Sequence, residues 1–160
     1  MNSEKFNKRM KAIVEREQGP VVNKGYNHDL FCEAIRYESA TYGPHPCASF
    51  LVTVTQPLCN QQGFLHGGCA ATLIDTTSTG LIMGTSKPGI FSLGGVSRSL
   101  NVKFLRPVPK GVQIRIVHEL VHAGKRFALV KSEIRRVDTG EICVVGENDK
   151  INSDPAVEKL

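Results

Sequence analysis

The sequence contains no tryptophan, and aromatic residues make up only 6% of its 160 residues. Proteins that bind single-stranded nucleic acid stack the bases on aromatic side chains placed among basic residues. Because the few aromatic residues here are not interleaved with the lysines and arginines, the net charge of +5 does not indicate a nucleic-acid partner. The positive charge is compatible with a ligand that carries phosphate, and equally with a merely basic surface.

Paired cysteines are also missing. The five cysteines are an odd number and none forms a Cys-x-x-Cys pair, which argues against a disulfide framework and against a zinc site. A reducing compartment is the simplest setting for such a chain. His118 and His122 would share a face of a predicted strand, but the sequence offers no third ligand beside them, so we expect no metal ion.

Long apolar runs are absent as well. No segment has the roughly 20 apolar residues that a membrane-spanning helix needs. The amphipathic N-terminus lacks the apolar stretch of a secretory signal, and Glu4, Glu15 and Glu17 are atypical of a mitochondrial presequence. We therefore expect a protein without a membrane span, in the cytoplasm or in a mitochondrion.

Two common enzyme signatures are not found. The segment GVSRS, residues 95–99, lacks the second glycine of the G-x-S-x-G serine-hydrolase motif and falls in a predicted strand. The short turns KPG and PKG do not form a phosphate-binding P-loop. The sequence therefore favours neither a serine hydrolase of that type nor a P-loop nucleotidase.

Hydrophobic periodicity predicts an α+β fold. The chain starts with a helix over 3–18, and a long helix over 66–85 has small or apolar residues on all sides. Strands are predicted at 30–40, 48–56, 96–105, 112–122, 127–137 and 141–146, the last four as a meander. A curved antiparallel sheet could wrap the long helix, and the exposed edges of such a sheet favour a dimer. We divide the chain into an N-terminal helix and linker (1–25), one domain (26–151) and a C-terminal tail (152–160).

Asp75 is the only Asp, Glu, Lys or Arg between Ser39 and Ser86. An ionised carboxylate in a buried helix is costly unless it is hydrogen-bonded or paired. Three interpretations stay open: a structural hydrogen-bonding role, an ion pair with a distant Lys or Arg, or a general base or nucleophile whose pKa depends on its burial.

The helix that carries Asp75 begins with Gly67 and Gly68. Glycines allow close approach of a ligand to the backbone, and the unpaired N–H groups of a helix N-terminus can stabilise an oxyanion. The two glycines could equally form only a tight turn. Asp75 follows His66 by nine residues, or roughly 13 Å along a helix. If both ends of this segment act in one site, they must meet across a dimer interface.

Asn60, the His66-Gly67-Gly68 triplet and Asp75 together resemble the motif of hotdog-fold acyl-CoA thioesterases. The resemblance is greatest to the branch that contains the phenylacetate-pathway thioesterase and acyl-coenzyme A thioesterase 13. It extends from about Val52 to Lys150 and includes PGIFSLGGVSRSLNVKFLRP, which places Ser97 at the serine of the family. The implied fold is a long central helix wrapped by a curved antiparallel sheet.

The resemblance also implies roles for these residues. The Gly67 N–H would polarise the thioester carbonyl, while Asn60 and His66 would shape that pocket. Asp75 of the second subunit would act as general base on a water, or less favourably as nucleophile, and Ser97 would orient the water. From the residues alone, Asn60 could be a turn residue, His66 a helix cap and Ser97 a polar strand residue.

Coenzyme A carries phosphates that bind Arg and Lys. The resemblance implies that the substrate contacts Gly68, Phe104, Leu105, Arg106, Pro107, Lys110, Lys125 and Arg126, with Lys103 and Lys150 as weaker candidates. No cofactor is expected, since coenzyme A is part of the substrate. The expected partners are the acyl-CoA and further copies of the chain, in a homodimer or homotetramer. The alternatives are a non-catalytic hotdog module that binds acyl-CoA or an acyl carrier, and a dehydratase, whose motif we do not find.

Overall fold

The computed structural model describes residues 1–20, 25, 26 and 28–155. Residues 21–24 of the predicted linker and residues 156–160 of the predicted tail lie outside these ranges. The elements are helices α1 (Ser3–Glu17), α2 (His28–Ala34) and α3 (Gly67–Thr85), a short 3-10 turn (Gln56–Leu58), and strands β1 (Ile35–Thr41), β2 (Cys47–Thr53), β3 (Val96–Phe104), β4 (Gln113–Ala123), β5 (Phe127–Arg136) and β6 (Ile142–Ile151).

The strands form one antiparallel sheet in the order β1-β2-β4-β5-β6-β3. Helix α3 packs on one face of this sheet, where Ile114, Ile116, Val130 and Ile134 are fully buried. Only Gly68 and Thr76 of α3 are exposed, which agrees with a helix covered on most sides. The predicted α+β arrangement, a central helix against an antiparallel sheet, is confirmed.

Helix α1 covers the sheet edge formed by β1. It begins after Asn2, whose side chain accepts a hydrogen bond from the Lys5 N–H at 2.9 Å, and it buries a stripe that includes Phe6 and Met10. The Asn7 side chain accepts hydrogen bonds from the Ala40 N–H and from the Tyr37 hydroxyl. The helix is thus part of the packed core, and no helix in the described ranges has the length and apolar character needed to cross a membrane.

A buried histidine links α3 to the middle of the sheet. His118 on β4 contacts the Thr77 hydroxyl through Nε2 at 2.6 Å and the Ser132 hydroxyl through Nδ1 at 2.7 Å. Burial lowers the pKa of His118 to about 3, so the ring is neutral near pH 7. A register shift between Leu120 and His122 leaves His122 exposed, so the expectation that His118 and His122 share a face is wrong.

The predicted strand over residues 30–40 is wrong in its first half. Residues 28–34 form α2, and β1 starts only at Ile35. The sequence HDLFCEA has no β-branched residue and carries Asp29 in its first turn, which both favour a helix. The β-branched residue Ile35 marks the change to a strand.

The four C-terminal strands do not form a simple meander. β4, β5 and β6 do, but β3 pairs with β6 at the edge of the sheet. The connection after β3 instead hydrogen-bonds to the segment before α3, through Leu65 N–H to Val108 O and Gly111 N–H to Val54 O. It thereby crosses the start of α3 before β4 begins. Strand β6 also extends to Ile151, five residues beyond the predicted end at Gly146.

Candidate active site

His66 is the N-cap of α3. Its Nδ1 accepts a hydrogen bond from the Gly68 N–H at 3.0 Å. Because the first N–H groups of a helix have no acceptor within the helix, the Gly67 N–H belongs to the set that is left for a ligand or water. The structure therefore shows His66 as the helix cap, with the Gly67 N–H available for a hydrogen bond.

Asn60 organises the loop that leads into α3. Its Oδ1 accepts hydrogen bonds from the Gln62 N–H at 3.0 Å and from the Phe64 N–H at 3.1 Å. This is the local side-chain-to-backbone bonding that makes Asn a frequent turn residue. Since Oδ1 is engaged in the turn, a contact of Asn60 with substrate would have to come from its amide nitrogen.

A cavity of about 380 Å³ and another of about 470 Å³ flank α3 at different places. The larger one lies at the helix start, where the Phe104 ring approaches Gly67 so closely that a Cβ there would be 3.2 Å from Phe104 Cζ. A side chain at position 67 would therefore displace this ring. The larger cavity gathers many of the predicted site residues, namely Asn60, Gly67, Phe104, Leu105, Arg106 and Pro107.

Cys69, in the first turn of α3, is not a reactive thiolate. Burial, and to a smaller extent the nearby Cys59, raises the pKa of its thiol to about 11. The thiol is therefore protonated near pH 7, and a protonated thiol is a poor nucleophile. Cys69 therefore does not supply a nucleophile at this end of α3.

Asp75 lies at the centre of a polar cluster. Its Oδ1 accepts hydrogen bonds from Ser97 Oγ at 2.5 Å, from Asn148 Nδ2 at 2.8 Å and from Lys150 Nζ at 3.0 Å. Lys150 Nζ also donates to Ser97 Oγ at 2.8 Å. The ion pair with a distant lysine, one of the three interpretations of Asp75, is therefore observed, and it is compatible with a catalytic role.

Ser97 reaches Asp75 because β3 contains a bulge. Regular alternation would place Ser97 on the face opposite Leu100, but the register shifts between Ser97 and Ser99. Ser97 consequently pairs with Lys150 and shares the helix-facing side with Leu100, while Val96 points outward and is 57% exposed. The bulge lies at Arg98, so Leu100 shares its face of β3 with Ser97 and not with Val96.

The pKa of the Asp75 carboxyl lies below its ordinary value. Burial raises this pKa, but the hydrogen bond from Ser97 and the charge and hydrogen bond of Lys150, with a smaller contribution from Asn148, together outweigh burial. These partners interact with the ionised form. Asp75 is therefore a carboxylate near neutral pH, although its side chain is only 41% exposed.

The cavity of about 380 Å³ lies beside Asp75, between α3 and the N-terminal helices. Its lining is largely apolar and includes Ile13, Val14, Ile35, Phe50 and Met83. Gly67 does not line it, and Asp75 does not line the cavity at the helix start. Within one chain, the two predicted halves of the site thus open into different cavities.

The predicted coenzyme A contacts are similarly divided. Arg106 donates to the Ile142 carbonyl at 2.8 Å and Lys110 to Gln56 Oε1 at 3.1 Å, both near the helix-start cavity. Lys125 and Arg126 lie in the β4–β5 turn, next to the end of the sheet that carries Ser97. Gly68 is exposed at the helix start, and Lys103 is exposed on β3.

Sequence reasoning missed Asn148 and misjudged Lys150. The resemblance implies Lys150 as a weaker candidate for phosphate binding, but Lys150 is only 3% exposed and is paired with Asp75. The available signal is the inward phase of β6, where Asn148 and Lys150 follow Val144 and Gly146 at every second position. A lysine in that phase indicates a buried acidic partner. In the described ranges, no three His, Cys, Asp or Glu side chains are placed to hold a metal ion.

A family model described as the thioesterase superfamily matches residues 62–143, a range that contains the start of α3, Asp75 and Ser97. The chain belongs to the thioesterase superfamily. Its family is one of thioester hydrolases, so the prediction of an enzyme of this class is confirmed.

The chain is similar to curated proteins from several mammals that have the name acyl-coenzyme A thioesterase 13. The protein from Homo sapiens is 28% identical over 135 residues, which cover 84% of this chain and 91% of that protein. The protein from Mus musculus is 32% identical over 91 residues, which cover 57% of this chain and only 62% of that protein. The predicted resemblance to the acyl-CoA thioesterase 13 branch is thus confirmed.

Solved structures share the fold. Zebra fish thioesterase superfamily member 2 aligns with a TM-score of 0.73 and 23% identity, over 96% of this chain and 99% of that one. A hypothetical thioesterase protein from Streptococcus pneumoniae TIGR4, whose structure contains coenzyme A, aligns with a TM-score of 0.66 and 20% identity, over 78% of this chain and 90% of that one. The predicted hotdog-type arrangement is therefore confirmed.

Proposed function

We propose that the protein hydrolyses the thioester of a fatty or aromatic acyl-CoA to the free acid and coenzyme A. The observation that carries this proposal is the ionised Asp75, anchored through one oxygen beside an apolar cavity in a chain of the thioesterase superfamily. The names of the curated relatives and the coenzyme A in the Streptococcus structure support acyl-CoA as the substrate class.

We further propose that a complete site needs two chains. Strand β3 carries contacts to both halves: Phe104 at one end packs on Gly67, and Ser97 near the other end binds Asp75. The two residues are seven positions apart, or roughly 23 Å in a strand. The two halves of one chain are therefore held apart by the strand that contacts both.

In this arrangement, we propose that β3 pairs with β3 of a second copy. β3 is an edge strand, and four apolar side chains in it or just beyond its ends are more than half exposed: Leu93, Val96, Phe104 and Leu105. In an antiparallel pair, the Phe104 end of one strand meets the Ser97 end of the other. Gly67 of one protomer would then face Asp75 of the second protomer, and two such dimers would form the proposed homotetramer.

In this site the Gly67 N–H and the start of α3 polarise the thioester carbonyl, with Asn60 and His66 maintaining the shape of the helix start. Asp75 removes a proton from a water whose oxygen forms a bond to the carbonyl carbon. The carbon–sulfur bond then breaks, and the thiolate of coenzyme A takes up the proton. If Asp75 acts instead as nucleophile, its carboxylate oxygen bonds to the carbonyl carbon and the thiolate of coenzyme A leaves. Water then hydrolyses the resulting anhydride.

The substrate would occupy both cavities. The acyl chain fits the apolar cavity beside Asp75, and the pantetheine arm follows Phe104, Leu105 and Pro107 at the helix start of the other protomer. Arg106 and Lys110 would bind the phosphates together with Gly68, Lys125 and Arg126, because antiparallel pairing brings the divided cations together. The protein would act in lipid metabolism, in the cytoplasm or in a mitochondrion.

Thiol release tests the proposal. The protein is incubated with acyl-CoAs of different chain length and with aromatic acyl-CoAs, and free coenzyme A is detected with a thiol-reactive dye. We expect hydrolysis of at least one substrate, and a loss of about a hundredfold to ten-thousandfold in kcat for Asp75→Asn. The control is Glu147→Gln, which changes an exposed carboxylate on β6.

No thiol release from any substrate would contradict the enzyme proposal, and an Asp75→Asn variant as active as the parent would contradict the proposed role of Asp75. If acyl-CoA binds without hydrolysis, the non-catalytic hotdog module replaces the thioesterase. Light scattering of the same sample measures whether the protein is a monomer, a dimer or a tetramer.

A further inference from the structure

Lys150 is a buried cation in the middle of a polar cluster. It lies on β6 between Ser97 of β3 and Ala128 of β5, and it is 3% exposed. Burying an ion pair is costly, and replacing both of its partners with well-packed apolar residues of similar size is often neutral or stabilising. The presence of Lys150 therefore calls for a reason other than stability.

The three donors in the cluster all bind the same oxygen of Asp75. Ser97, Asn148 and Lys150 contact Oδ1, whereas Oδ2 accepts no hydrogen bond from any residue in the part of the chain that the structure describes. One oxygen is thus held by the protein, and the other is left for a ligand. Lys150 contributes the only positive charge among these donors.

The hydrogen bonds also have a defined direction. An ammonium group only donates, so Ser97 Oγ accepts from Lys150 and gives its single proton to Asp75 Oδ1. Lys150 therefore acts on Asp75 twice, directly and through Ser97. A Ser97 hydroxyl engaged in this way does not donate to a water at the same time.

We propose that Lys150 is a positioning residue that fixes the orientation and the charge of Asp75, so that Oδ2 faces the bound thioester or water. The catalytic consequence rests on the proposed thioesterase function. The coupling of Lys150 to Asp75 does not depend on that function, and it can be measured in the free protein.

Other titratable groups near Asp75 must be considered in any pH measurement. The Asp75 cavity is also lined by Glu17 of α1 and by Tyr26, His28 and Cys32 in and before α2, and His118 of β4 contacts α3 at Thr77. None of these is altered by a substitution at Lys150. A change in the titration of Asp75 between the parent and a Lys150 variant therefore reports on Lys150.

The test uses the full chain with Lys150→Met and Lys150→Gln, the latter keeping a donor without charge. The titration of Asp75 is followed by carbon NMR of labelled aspartate carboxyls, with Asp75→Asn to assign the signal. We expect the pKa of Asp75 to rise in both variants, because the opposite charge is lost. With an acyl-CoA that the parent protein hydrolyses, kcat should fall by about tenfold or more while KM changes little. The acid limb of the pH profile should move to higher pH.

Lys131→Met is the matched control, since it removes an exposed lysine from the neighbouring strand β5. It should change neither the titration of Asp75 nor kcat. Cooperative thermal unfolding shows which variants fold. If Lys150→Met does not fold, Lys150→Gln is used for the test. An Asp75 titration unchanged in a folded Lys150 variant overturns the proposal, whether or not the protein hydrolyses acyl-CoA. A parent protein that hydrolyses none overturns only the proposed function.

Discussion

The two ends of the Gly67–Asp75 segment of α3 are built in different ways. At Gly67 the structure has backbone N–H groups, a capping contact from His66 and an open cavity beside Phe104. At Asp75 it has side chains from two strands, which bind one carboxylate oxygen. The first end depends on local sequence, and the second depends on the packing of residues far apart in the chain.

This difference shows how a single helix can supply two functional groups without bringing them together. A helix is rigid, so its first turn and its third turn stay about 12 Å apart. In the proposed dimer this limit would not apply, since the first turn of one helix would approach the third turn of the other. The predictions below separate the two ends, first by mixing variants and then by altering each region.

Mixing two inactive variants should restore activity. Asp75→Asn removes the carboxylate, and Gly67→Val places a branched side chain against Phe104, which lies 3.2 Å from a Cβ at this position. In a mixed dimer one site combines the intact Gly67 with the intact Asp75. After joint refolding of equal amounts we expect roughly a quarter of the parent activity, measured as thiol release.

Each variant refolded alone is the control and should stay at least about a hundredfold below the parent. If the mixture is no more active than these controls, the two ends do not combine across an interface.

Gly67→Ala should reduce kcat/KM by about tenfold to a hundredfold. The added methyl group displaces the Phe104 ring and shifts the carbonyl relative to the backbone N–H, and small misplacements have effects of this size. Steady-state thiol release provides the measurement. Gly43→Ala is the control because a Cβ there meets no atom within 4 Å, and equal effects of the two substitutions would contradict a specific role of position 67.

Protonation of His118, which contacts α3 at Thr77, should make the free energy of unfolding depend on pH. The pKa of His118 in the folded state is about 3, well below its ordinary value near 6.5, so the unfolded chain binds the proton first. The free energy of unfolding should therefore fall with decreasing pH below about 6.5, by up to about 1.4 kcal/mol per pH unit from this residue.

Urea unfolding of the parent and of His118→Gln at about pH 7 and about pH 5 measures this term, and the variant should lose less stability between them. The contribution of Asp75 to the free energy of unfolding changes in a lower pH range. Its carboxyl has a lowered pKa, so its stabilisation is present above the ordinary aspartate pKa and is lost only as pH falls further, through the folded value. If the free energy of unfolding changes equally with pH in the parent and in His118→Gln, His118 is not the source of this pH dependence.

Much of the first end could be predicted from the sequence. His66 followed by two glycines and a long uncharged segment indicates where a buried helix begins, because both signals are local. The helix starts at Gly67, one residue after the expected start. Because Asp75 is the only charged residue in this segment, the sequence also identified it as a candidate functional residue.

The surroundings of Asp75 depended on the tertiary structure. The bulge at Arg98 is a backbone irregularity that moves Ser97 to the other face of β3, and regular alternation does not reveal it. Lys150 is separated from Asp75 by 75 positions, so their pairing follows from the strand order. By itself, the sequence determined which helix is buried and which residue in it is charged. Only the packing of β3 and β6 against that helix decided how the charge is held, because burial and pairing are properties of the assembled sheet.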